Sequence, residues 1–210
     1  MATACEDALP TEPTALAFVS GATFTLDAAF DADFYRAFVR NAFEQPAKLE
    51  PIRRLNHAPL IYLKTVDEAG LPIDAATLDT TESAMKDSAA IWGGGQFGLA
   101  GVTRGTESRE GTPGWITVKW ANPPASGRCG LSTVGADGGW IEFNPLGPCS
   151  CGSPSRVYAR VVRHELGHAF GYYHTDSAED VMYGQTVSSA ACDLHPSERE
   201  IQYAKYLYQH

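Results

Sequence analysis

The chain has 210 residues, 44% hydrophobic and 20% charged, enough for one globular domain with a substantial core but not for two full ones. Sixteen basic against twenty-five acidic residues leave a net charge of −9. That is the wrong sign for a phosphate-binding surface, and no cluster of Lys or Arg overrides it, so nucleic acid is not an expected partner. Mean hydropathy is −0.20, and no apolar run approaches the ~20 residues needed to cross a bilayer, so no transmembrane segment is expected.

The first residues are rich in Ala, Thr, Glu and Pro and read as a tail. From Asp31 to Glu44 the apolar residues Phe34, Phe38, Val39 and Phe43 recur at helical spacing behind a capping Asp31. Two prolines between Gln45 and Pro51 suggest a hinge. Residues 1–49 are therefore expected to form an N-terminal tail and helical extension, and residues 50–210 the main domain. Pro59 to Val66 (PLIYLKTV) is a strand candidate. Leu78, Ala84, Met85, Ala89, Ile91 and Trp92 predict a helix, which Gly93-Gly94-Gly95 stops. Trp115 to Ala121 alternates two faces and reads as a strand. Leu131–Val134 and Trp140–Asn144 flank Ala136-Asp137-Gly138-Gly139, which predicts a β-hairpin. Pro145 to Ser155 reads as a loop. Ser153 with Pro154 behind it makes a cap and first position for a helix running to Gly171, and Ser197 to Tyr208 is a last helix. The order predicts an α+β domain, a twisted mixed sheet backed by helices.

Within the helix from Ser153 stands HELGHAFGYYH, residues 164–174. His164 and His168 are four apart, so on a helix their imidazoles share one face and can converge on one ion. Glu165 lies beside the first ligand, where a carboxylate can reach a metal-bound water as a general base. Gly171 can take the positive φ that turns the chain and lets His174 return as a third ligand. Three protein ligands leave a fourth position open, the mark of a catalytic rather than structural zinc.

This stretch is similar to the extended zinc signature of the metzincin metalloendopeptidases, and Met182 in Asp180-Val181-Met182-Tyr183-Gly184 looks like their Met-turn. The element order and Val181-Met182-Tyr183 look most like bacterial members of the matrixin branch. The resemblance implies a metzincin-like zincin fold with the ligands on the active-site helix. It implies one catalytic Zn2+, and hydrolysis of protein peptide bonds through a zinc-activated water with Glu165 as general base. It further implies that Leu131, Ser132, Thr133, Val134 and Gly135 form the rim that pairs with an extended protein or peptide substrate. The chain also departs from the pattern. Gly184 stands where astacins and serralysins have a zinc-contacting tyrosine, so Tyr183 is not read as a ligand. His57, His195 and His210 are too scattered for a matrixin-type second zinc, and Gly184-Gln185-Thr186 replaces the Pro-x-Tyr that walls the specificity pocket.

Of five cysteines, Cys129, Cys149, Cys151 and Cys192 surround the active-site helix in sequence and are expected to form two disulfides. One residue separates Cys149 from Cys151, which disfavours their bonding to each other. Cys129–Cys149 with Cys151–Cys192 is preferred, the swap being the alternative. Arg128-Cys129-Gly130 only superficially resembles the matrixin cysteine switch. Ala2-Thr3-Ala4-Cys5 looks like the end of a bacterial lipoprotein signal, which makes Cys5 a candidate lipid anchor. The expected location is thus secreted, periplasmic or cell-surface, and the expected state a monomer. Asp176, Glu179 and Asp180 could hold calcium, although such residues more commonly cap turns. The alternative function is a catalytically silent zinc-binding surface or peptide-binding protein on the same fold.

Overall fold

The computed structural model describes residues 30–122, 128–144, 157–185 and 192–209. Its centre is β1 (Leu60–Lys64), in which Ile61, Tyr62 and Leu63 are all buried, the continuous apolar run of a strand covered on both faces. Parallel strands flank it, β2 (Gly101–Gly105) on one side and β3 (Trp115–Trp120) on the other. Next to β3 lies parallel β5 (Trp140–Phe143), and antiparallel β4 (Gly130–Ser132) ends the sheet, giving the order β2-β1-β3-β5-β4. β2 has no sequence signature. Its GVTRG holds one large apolar residue, and pairing to β1 rather than its own pattern makes it a strand.

Among the described residues four helices accompany the sheet: α1 (Ala32–Arg40), α2 (Ala75–Trp92), α3 (Ala159–Phe170) and α4 (Glu198–Gln209). α2 starts at Asp74, whose carboxylate accepts from the Thr77 amide at 2.8 Å. α4 starts with a reciprocal cap. Ser197 Oγ accepts from the Glu200 amide at 3.3 Å, and Glu200 Oε2 accepts from the Ser197 amide at 2.7 Å. The start expected for α3 is corrected. Ser153 and Pro154 lie outside the described residues, and the helix begins only at Ala159, after an extended Tyr158. Its end falls where expected, at Gly171 with φ 116°. A Cβ there would also stand 1.8 Å from the Arg53 carbonyl oxygen, so both the backbone angle and the packing demand glycine.

The N-terminal helix is not a separate extension. The compact unit runs from Asp33 to His210, and Phe34, Phe38 and Val39 are buried in it. Phe38 stacks on Tyr172 at 4.4 Å between centroids, and Phe34 meets Tyr203 of α4 at 4.9 Å. The helix stops at Arg40, short of Glu44, because Asn41 takes the left-handed conformation with φ 57°. The expected hinge is tied down as well, since the Glu50 amide donates to the Arg40 carbonyl at 2.9 Å and Arg40 Nε donates to the Glu50 carbonyl at 3.2 Å. No described helix is long and apolar enough to cross a membrane.

Candidate metal centre

The aromatic core sets the site's geometry. Trp92, at the end of α2, donates from Nε1 to the Arg163 carbonyl of α3 at 3.0 Å, and the Tyr172 hydroxyl donates back to the Trp92 carbonyl at 2.7 Å. This clamp fixes α3 and the strand-like run after Gly171. Phe38 completes it, stacking on Tyr172 while its carbonyl accepts from the Tyr173 amide at 2.7 Å.

On that frame the imidazoles of His164, His168 and His174 converge, their candidate ligand atoms all within 4.8 Å of one another. Each ring is oriented by its Nδ1. His164 donates to the Val181 carbonyl at 2.8 Å and His168 to the Tyr172 carbonyl at 2.7 Å. His174 Nδ1 lies 2.6 Å from Glu44 Oε1. A carbonyl acceptor at Nδ1 puts the proton of the neutral His164 and His168 rings there, which leaves their Nε2 atoms free to bind an ion. Burial and the neighbouring histidines hold His164 well below the usual imidazole range, and burial holds His168 down at about 3. Yet the His174 Nε2 stands 3.2 Å from His164 Nε2 and 3.1 Å from His168 Nε2. Three imidazole nitrogens converging on one point form a donor set that could hold a cation. Tetrahedral coordination at zinc–imidazole bond lengths sets ligand nitrogens about 3.3 Å apart, close to what is found. The residues present fit a divalent transition metal.

Glu165 supplies the second half of the site. It is 5% exposed, its Oε2 has no hydrogen-bond partner, and burial pushes its pKa up to about 8. Such a carboxylate is favoured as an ion only beside an added positive charge. It fits there because β4 presents Gly130. A Cβ at that position would come within 2.5 Å of Glu165 Oε1.

Met182 is fully buried under α3, and a Cβ on Gly167 would stand 2.4 Å from its sulfur. Its amide donates to Glu200 Oε1 at 2.8 Å, and the Val181 amide donates to Glu200 Oε2 at 3.0 Å. Glu200 thereby fixes the carbonyl of Val181 that orients His164.

The three histidines and Glu165 line a cavity of about 560 Å³. Of the expected rim, Leu131, Ser132 and Val134 line it, whereas Thr133 and Gly135 do not, because their bonds face away. Thr133 Oγ1 accepts from the Trp140 amide at 3.0 Å, and the Gly135 amide donates to the His168 carbonyl at 3.0 Å. Glu44, Gly130 and Arg160 are among the lining residues that the sequence did not point to. Arg160 was within reach of helical spacing from His164, one turn earlier on α3. Glu44 carries no local signal, being 130 residues from His174.

Cys129 and Cys192 are both disulfide-bonded, so Cys129 has no thiol to offer a metal. Cys149 and Cys151 lie outside the described residues, as does Cys5. Asp180, offered above for calcium, is instead held by Arg199 and by Ser197 Oγ at 2.7 Å, and Asp176 also faces Arg199. Glu179 is exposed. No protein-family model matches the chain, and no curated protein sequence matches it.

Proposed function

We propose that the chain is a zinc-dependent endopeptidase of the metzincin type. The observation that carries this reading is the convergence of three imidazole nitrogens beside a buried, unpartnered carboxylate in a cavity bordered by the end strand of a sheet. Zinc held by His164, His168 and His174 supplies Lewis acidity, making water nucleophilic near neutral pH and polarising a peptide carbonyl. Glu165 takes the proton from the attacking water. It holds that proton in a pocket that favours the neutral acid, then gives it to the leaving amine. Among the described strands β4 has a neighbour on one side only, and that free edge can accept an extended substrate as an added strand, with Leu131 and Ser132 lining the cavity. Disulfide bonding at Cys129 and Cys192 supports an oxidising, exported location.

The test is casein digestion by the zinc-loaded chain with and without a chelator, alongside metal analysis. Chelator-sensitive cleavage is expected. Glu165→Ala should lower turnover by about a thousandfold or more while zinc remains bound. Zinc without cleavage in the wild type would leave only a binding protein.

A further inference from the structure

Arg160 is a buried cation that the chemistry above leaves unused. It stands one turn before His164 on α3, lines the same cavity and is 4% exposed. Burial works against its charge, and Tyr158, Glu200 and Tyr183 offset that only in part. Nη2 donates at 3.4 Å to the Asp180 carbonyl and at 3.3 Å to the Tyr183 carbonyl, both at the long limit of hydrogen bonding. The Tyr158 hydroxyl makes one more contact, and among the described residues Nε has no partner.

The charge of Glu200 acts on Arg160, but neither Glu200 nor Asp180 gives it a directly bonded carboxylate oxygen. Asp180 turns to Arg199 and Ser197, and Glu200 accepts from the amides of Val181, Met182 and Ser197. Residues 145–156 and 186–191 contain no Asp or Glu, so neither segment can bring a counter-ion. Arg163, on the same helix and equally buried, shows the contrast, for Asp193 pairs with it at 2.8 Å. Burying a charge without a partner costs several kcal/mol. At Arg160 that missing partner has an open cavity in front of it.

We propose that Arg160 determines the specificity of the cleft by receiving the carboxylate of a substrate Asp or Glu beside the scissile bond. The inference rests on the endopeptidase reading. A carboxylate delivered there gains charge-assisted hydrogen bonds and supplies a directly bonded counter-charge, whereas a substrate Lys or Arg meets like charge.

The experiment uses the zinc-loaded full chain and a proteome-derived peptide library, with flanking residues read by mass spectrometry. Matched peptides differing only by Glu, Gln or Lys at the enriched position follow. The expected result is enrichment of Asp and Glu at one position within two residues of the cut, with kcat/KM for Glu at least about tenfold above Gln. In Arg160→Met the Glu-to-Gln ratio falls to about one, and in Arg160→Lys it is intermediate. Casein cleaved without any acidic enrichment in the wild type overturns this proposal and leaves the endopeptidase reading standing. That outcome needs no variant to fold. No cleavage of casein or peptides overturns both. Glu6, Asp7, Glu12 and Asp27 are the chain's own alternative occupants. In that case Arg160→Met raises turnover on all peptides without changing their ratio, which also overturns the proposal.

Discussion

His174 differs from the other two histidines in how it is aimed. His164 and His168 are oriented by backbone carbonyls close to them in the fold, but His174 depends on the side chain of Glu44. A carboxylate behind a metal-binding imidazole fixes the ring's orientation, and loss of such a partner weakens metal binding about 10- to 100-fold. Glu44→Ala should therefore raise the zinc dissociation constant within that range, measured by competition with a chromogenic chelator. Glu44→Gln keeps an acceptor oxygen and should lose less. The sequence makes the three histidines and Glu165 legible because helical spacing and one turn glycine link them locally. It hides Glu44 because only tertiary packing, with Phe38 seated on Tyr172, brings residue 44 to residue 174.

Among the elements, β4 and α4 do most to hold the site from outside its own helix. Gly130 of β4 leaves room for the Glu165 carboxylate, so Gly130→Ala should push that side chain aside. The expected signature is a fall in kcat with zinc content unchanged, which separates a displaced base from a damaged metal centre. At α4, Ser197→Ala removes the cap and should cost about 1 kcal/mol of stability, seen as a lower Tm. Elements with their own periodicity were readable, as α2, β3 and the β4–β5 hairpin show. β2 was not, since its strand state comes from the partner beside it. The start of α3 was misread because Ser153-Pro154 offers good capping chemistry locally, whereas the chain is still extended at Tyr158.

For the whole molecule, stability couples to pH and to metal. Burial and the charge of Asp180 push Glu200 up to about 7, well above its value near 4.3 in an unfolded chain. Between these values the folded state binds more protons than the unfolded one, so this group's contribution falls as pH rises through the window and levels off above it. Thermal melts of zinc-loaded protein from pH 4.5 to pH 8 should show a shallower decline for Glu200→Gln than for the wild type. The variant should also be less stable throughout, because an amide cannot accept all three backbone donors. Metal removal acts in one direction only. At a free zinc concentration about 1,000 times the dissociation constant, binding contributes about 4 kcal/mol, so stripping the ion should lower Tm by about 10 °C.

The end strand β4 carries a consequence for what such an enzyme could digest. A free strand edge recognises only a chain with backbone donors and acceptors to spare, and helices or internal strands have already used theirs. Targets would then be selected by their local unfolding as much as by their side chains. A well-folded neighbour, or another copy of this chain, would survive in proportion to how rarely it opens.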